Sequence, residues 1–264
     1  MSEILESEAF VQAPGARLFV KSWTPTAPCG APILLFHDSL GCTKLWRSFP
    51  SALATASGRA VISYDRLGFG RSDPRTDALA RDFVAREGRT VAPLVLDAVG
   101  VERFVAFGHS VGGGMAAEAG AACGARCEAV ITASSLAFVD ARGRDGIARE
   151  SAVFEAPGGL EKLARHHGDK ARWVLDSWVK TWLSSDFDDY QFDSALAACT
   201  GPVLALQGDR DEYGGPEHPR RIAGAARRGS MGMIADCGHF PHREREASLV
   251  AAIARFLRSP APTA

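Results

Sequence analysis

Ser110 lies between two glycines in Gly108-His109-Ser110-Val111-Gly112, a spacing that suits a serine displayed on a sharp turn between a strand and a helix. Glycine at both flanking positions removes side chains that would clash in so tight a turn, and Ser110 is thereby a candidate nucleophile. The amide of Val111 would open the following helix, where unpaired N–H groups and the helix dipole favour negative charge, so it is a candidate oxyanion donor. A serine hydroxyl needs a base to remove its proton, and the base needs a carboxylate to fix its tautomer. Two later stretches offer these groups. Gly208-Asp-Arg-Asp-Glu212 supplies carboxylates, and Cys237-Gly-His-Phe-Pro-His242 supplies His239.

Such groups meet only if the chain brings three loops together, and the hydrophobic pattern provides for that. Ile33 to Phe36 is wholly apolar, as expected for a strand covered on both faces. Ala60 to Tyr64, Phe104 to Phe107, Ala129 to Ala133, Val203 to Gln207 and Met231 to Ala235 read as further strands. Phe10 to Gln12 and Arg17 to Trp23 flank the turn Ala13-Pro-Gly-Ala16 and predict an opening hairpin. Helical periodicity follows Trp46 as far as Gly58. It covers Ala78 to Val99 with breaks near Gly88 and Pro93, then Val111 onward, Pro219 to Ala226 and Ala247 to Leu257. Alternating strands and helices with short connections predict an α/β domain with a mainly parallel sheet, whose sites lie beyond the carboxyl ends of the strands. From about Phe138 to residue 195 the pattern is helical, with Trp173, Trp178 and Trp182 at helical spacing. It reads as an insertion whose apolar face lies over the strand ends.

The elbow, a Gly-x-x-Asp after one strand and a Gly-His after the last resemble the α/β-hydrolase fold superfamily, and the order Ser, Asp, His matches it as well. The loop Asp65 to Asp73 resembles the family's loop after the strand that precedes the elbow unit. The resemblance implies an α/β-hydrolase fold with an eight-stranded, mostly parallel sheet flanked by helices. Its core would be residues 1–137 and 196–264, with a helical lid at 138–195. It further implies a triad of Ser110, Asp211 and His239, with Asp211 preferred over Asp209 because it stands three positions after Gly208. The oxyanion hole would be Ser39 and Val111. His109, Leu40, Trp178, Trp182 and Phe240 are expected to bind substrate. Where many relatives carry His-Gly this chain has His37-Asp38, and the Asp38 side chain is expected to bond loop amides or Arg66. Ser39-Leu40-Gly41 is similar to the corresponding loop of enol-lactone hydrolases. The implied activity is hydrolysis of a small, largely apolar ester, thioester or lactone through an acyl-enzyme. The alternatives are carbon–carbon bond hydrolysis of a dienoic diketone, enol-lactone hydrolysis in aromatic catabolism, or a non-catalytic ligand-binding receptor. Aspartate is the nucleophile in dehalogenases and epoxide hydrolases of this fold, so a serine here disfavours both.

Composition agrees with a small-molecule substrate. The 264 residues carry a net charge of −1 with 46% hydrophobic content, enough for one large core and unsuited to a nucleic-acid or membrane partner. An acidic start without an apolar run predicts no signal peptide. Six scattered cysteines suit free thiols in a cytoplasmic protein, a monomer or homodimer. No cofactor or metal is expected, because no histidine belongs to a cluster with ligand spacing. His37 and His242 are read as loop or wall residues, and His166, His167 and His218 as solvated. Arg66 and Arg71, the basic residues expected nearest the site, are read as paired with Asp65, Asp73 or Asp38. That leaves no cationic cluster and predicts weak use of dicarboxylates.

Overall fold

The computed structural model describes residues 3–258. The ends of the expected core ranges, 1–2 and 259–264, lie outside the described residues. The chain opens with the antiparallel strands β1 (Ile4–Ala13) and β2 (Ala16–Pro25). The hairpin is longer than its apolar residues suggest, because the exposed first half of β1 pairs along its whole length with β2. β3 (Ile33–Phe36), α1 (Phe49–Ser57) and β4 (Val61–Tyr64) follow. Next come α2 (Phe83–Arg86) and α3 (Ala92–Ala98), joined through a π turn at Glu87–Val91. The expected start at Ala78 is corrected to Phe83. Pro93 does not break the helix, since it occupies the first turn of α3, where a missing N–H costs nothing.

β5 (Phe104–His109), α4 (Val111–Cys123) and β6 (Cys127–Ala133) form the central unit. Four helices then intervene before the sheet resumes: α5 (Ala141–Glu155), α6 (Gly159–His167), α7 (Ala171–Trp182) and α8 (Asp193–Ala198). An isolated antiparallel bridge from Phe138 to Gln191 draws the two ends of this segment together. β7 (Val203–Gly208), α9 (Glu217–Ala225), β8 (Gly229–Ile234), α10 (Pro241–Glu244) and α11 (Glu246–Arg258) complete the chain.

The eight strands form one sheet in the order β1-β2-β4-β3-β5-β6-β7-β8, antiparallel at β1, β2 and β4 and parallel elsewhere. Alternation along each strand divides the core into two layers. Ile33, Leu35, Val105 and Phe107 pack with Phe49 and Leu53 of α1 and Leu249 and Ile253 of α11. Leu34, Phe36, Phe104 and Ala106 face the other side, with Met115 of α4 and with Val174, Trp178 and Trp182 of the intervening helices. The helical segment therefore shares a core layer with the sheet and sits at the carboxyl ends of its strands.

Candidate active site

The turn at Ser110 is as tight as its glycines require. Ser110 holds φ 55° and ψ −124°, a conformation that costs a non-glycine residue on the order of 1–3 kcal/mol. A Cβ on Gly108 would lie 2.0 Å from the Gly112 carbonyl oxygen, and one on Gly112 would lie 2.1 Å from the Phe36 carbonyl oxygen. Any side chain at either position would push α4 away from β3 and open the elbow. The Ser110 amide is anchored on the Ala133 carbonyl at 2.9 Å.

Three loops meet here. His239 Nε2 is 3.1 Å from Ser110 Oγ, and His239 Nδ1 is 3.0 Å from both Asp211 Oδ1 and Oδ2. Asp211 is buried and its carboxylate is fully engaged. Gln207 Nε2 donates to Oδ2 at 2.7 Å, and the Tyr213 amide donates to Oδ1 at 2.9 Å. Burial alone would raise the Asp211 pKa, but the charge and hydrogen bond of His239 and the Tyr213 amide hold it below the ordinary carboxylate value. Burial likewise opposes the His239 imidazolium. Asp211, with Glu212 and Asp38 further off, outweighs it and raises the His239 pKa above the usual value. Asp209 is exposed and does not reach this cluster. Its Oδ1 accepts the Cys237 amide at 3.1 Å, closing the loop that carries His239.

The loop after β3 is built around one carbonyl. The Asp38 carbonyl oxygen accepts from Arg66 Nη2 at 2.7 Å, His37 Nδ1 at 2.9 Å and the Gly41 amide at 3.2 Å. His37 Nε2 accepts the Arg66 amide, which leaves the ring proton on Nδ1. Among the described residues no peptide bond is cis, so pinning this carbonyl turns the Ser39 N–H the opposite way. Ser39 and Ser110 both line one cavity of about 580 Å³.

Leu40, Trp178, Trp182 and Phe240 also line that cavity. His109 does not. Only 1% exposed, it lies beneath the His239 loop, where its Nε2 donates to the His239 carbonyl at 2.7 Å. Its Nδ1 faces Asp38 Oδ2 at 3.4 Å, so the Asp38 side chain turns to His109 and not to Arg66 or loop amides. Trp173 packs edge-on against Phe69 and donates to the Asp77 carbonyl, away from the cavity.

Other charges and histidines depart from expectation. Arg71 pairs with Glu8, and Asp73 pairs with Arg17. His167 and His218 are buried. His167 Nδ1 accepts the Gly70 amide and its Nε2 donates to the Leu40 carbonyl, each at 3.0 Å, tying α6 to the loop after β3. Burial pushes the His167 pKa down to about 4. Its place one turn after buried Leu163 was the available signal. Gln207 carried one too, as the lone polar residue in the apolar run Val203 to Gln207. Basic side chains also reach the cavity, since Arg47, Lys162 and Arg243 line it. The expected lack of a cationic cluster is thus corrected: the three are so far apart in sequence that only the fold assembles them.

Among the described residues one trio, Asp140, Glu217 and His218, brings potential metal-ligand atoms within 4.8 Å of one another. The Ala137 amide donates to His218 Nδ1, so the neutral ring carries its proton on Nε2, the atom 3.5 Å from Asp140. That tautomer offers no lone pair toward Asp140.

A sequence model described as the Alpha/beta hydrolase family matches residues 33–253. The chain is similar to a 3-oxoadipate enol-lactonase of Acinetobacter baylyi, with 30% identity over 152 residues that cover 57% of this chain and 53% of that protein. The match thus spans about half the length of that curated relative. The solved enol-lactonase of Burkholderia xenovorans LB400 superposes with a TM-score of 0.74 at 16% identity, covering 95% of this chain and 100% of that one. A carboxylesterase of Bacillus subtilis superposes with a TM-score of 0.72 at 17% identity, covering 98% and 93%. At such identities the structural matches establish the fold, and the family match covers most of the chain. The protein belongs to the alpha/beta hydrolase family.

Proposed function

We propose that this member of the alpha/beta hydrolase family is a serine hydrolase that cleaves a small ester, thioester or lactone through an acyl-enzyme. The observation that carries the reading is the relay from Ser110 Oγ through His239 to Asp211, with contacts of 3.1 and 3.0 Å. Neutral His239 accepts the Ser110 proton as Oγ attacks the carbonyl carbon, and Asp211 stabilises the resulting imidazolium. The amides of Ser39 and Val111 receive the developing oxyanion. Collapse of the tetrahedral species expels the alcohol, which takes its proton from His239, and water then cleaves the acyl-serine by the same route. In a lactone the leaving alkoxide stays attached to the acyl group. The lactone option draws on the sequence relative named an enol-lactonase.

The helices between β6 and β7 act as a lid, and Trp178 and Trp182 from it join Leu40 and Phe240 as the apolar lining. The site works without metal or cofactor, on a small-molecule substrate in the cytoplasm. A fluorophosphonate probe is expected to label Ser110 alone, and Ser110→Ala is expected to abolish labelling and turnover of 4-nitrophenyl acetate. Labelling at another residue of an active preparation would refute the reading.

A further inference from the structure

Charges of both signs line the cavity above Ser110, with Asp38, Glu150 and Glu212 beside Arg47, Lys162 and Arg243. Around Tyr213 the neighbouring charges are those of Glu150, Glu212, Asp211 and Asp38. Around His166, which also lines the cavity, they are those of Lys44, Arg243, Arg165 and Arg47. Glu212 already accepts the His239 amide at 3.2 Å. The basic side chains of the lining have no such commitments. Arg47 comes from the loop after β3, Lys162 from α6 and Arg243 from α10, and among the described residues none of these three forms an ion pair.

Arg243 is the most constrained of them. It is partly buried, its guanidinium lies 4.6 Å from the centre of the Phe240 ring, and its Nε is buried without a hydrogen-bond partner. Asp38, the carboxylate whose charge it feels, already faces His109. A guanidinium partly withdrawn from water, lining the cavity and without an ion-pair partner is costly alone and binds strongly once a planar oxyanion reaches it. An aromatic backing that fixes the plane makes the fork selective for such a group. Arg47, held at a positive φ of 55°, and Lys162 line the same cavity and add positive charge to it.

We infer that Arg243, supported by Arg47 and Lys162, is a carboxylate-recognition element, and that the substrates are esters or lactones bearing a free carboxylate a few carbons from the reacting carbonyl. This inference rests on the hydrolytic reading and narrows its substrate class. The carboxylate seats against Arg243 while the apolar chain between it and the carbonyl lies along Leu40 and Phe240.

The test pairs two substrates that differ only in charge, mono-4-nitrophenyl glutarate and its methyl ester. The wild-type enzyme is expected to favour the acid about tenfold or more in kcat/KM. Arg243→Met is expected to lower the acid-to-ester ratio roughly 10- to 100-fold, Arg243→Lys is expected to keep part of it, and added salt is expected to lower it in the wild type. Equal use of both substrates by the wild type, or a ratio unmoved in a folded Arg243→Met protein, would overturn the inference and leave the hydrolytic reading intact. A second arm needs no turnover: the Ser110→Ala protein is titrated with monomethyl glutarate and dimethyl glutarate by calorimetry. Tighter binding of the acid, lost on adding Arg243→Met, supports the inference, and equal binding overturns it. Failure of the fluorophosphonate probe to label Ser110 would count against the hydrolytic reading instead.

Discussion

At the scale of residues, the identity of the carboxylate that orients His239 decides the chemistry. Asp211 touches Nδ1 and is held by Gln207 and Tyr213, whereas Asp209 spends its Oδ1 on a backbone amide. Asp211→Asn is therefore expected to cut kcat by on the order of 10⁴, the loss typical of a serine triad, and Asp209→Asn by far less. Measuring both with one aryl ester checks the assignment, and the reverse order would overturn it. The proton relay also fixes a pH profile. His239 must be neutral to act, and its pKa is raised, so kcat/KM is expected to rise with pH through a single ionisation above histidine's ordinary ~6.5. A profile centred below that value would contradict the Asp211–His239 pair as the source of the shift. Ser110 and His239 were readable in the sequence because glycine spacing and position after a strand mark them. Gln207 stood out only as a polar residue in an apolar run and Tyr213 not at all, because their roles depend on where their donors point once the loop after β7 has folded.

Elements decide how these residues are held. The parallel core was legible because β3, β5, β6 and β7 are nearly continuous apolar runs, and the elbow was legible because Gly108 and Gly112 leave no room for side chains. The way α6 docks was not legible, since a histidine near the end of a helix reads as solvated until its partners are known. His167 bonds the Gly70 amide and the Leu40 carbonyl and so couples the helical segment to two core loops. With a folded-state pKa near 4 against an ordinary ~6.5, His167 binds its proton more readily in the unfolded chain. Its contribution to stability is complete above about 6.5 and is lost as pH falls toward 4, on the order of 3 kcal/mol for a shift of this size. Buried His37 and His242 are shifted the same way and add to the trend. Chemical unfolding across this range is expected to show stability falling with acid in the wild type and falling less in His167→Gln. Equal slopes would remove His167 from the account.

For the whole molecule, function follows from what the sheet brings into one cavity. Segments near residues 39, 47, 110, 162, 178, 212, 240 and 243 line the same space, although composition and net charge show no preference for any of them. A near-neutral chain suggested a neutral substrate, yet the fold brings Arg47, Lys162 and Arg243 to one cavity with Asp38, Glu150 and Glu212. Local charge placement, which no composition reveals, is what a substrate meets. The central claim is that Ser110 forms a covalent bond with the acyl group. The most direct measurement is rapid acid quench of the enzyme during turnover of an aryl ester, followed by intact-mass and peptide mass spectrometry. The account predicts a mass gain of one acyl group, confined to the peptide containing Ser110 and absent from Ser110→Ala. An enzyme that turns over the ester with no acylated species at any quench time, and whose Ser110→Ala variant keeps that activity, would contradict it.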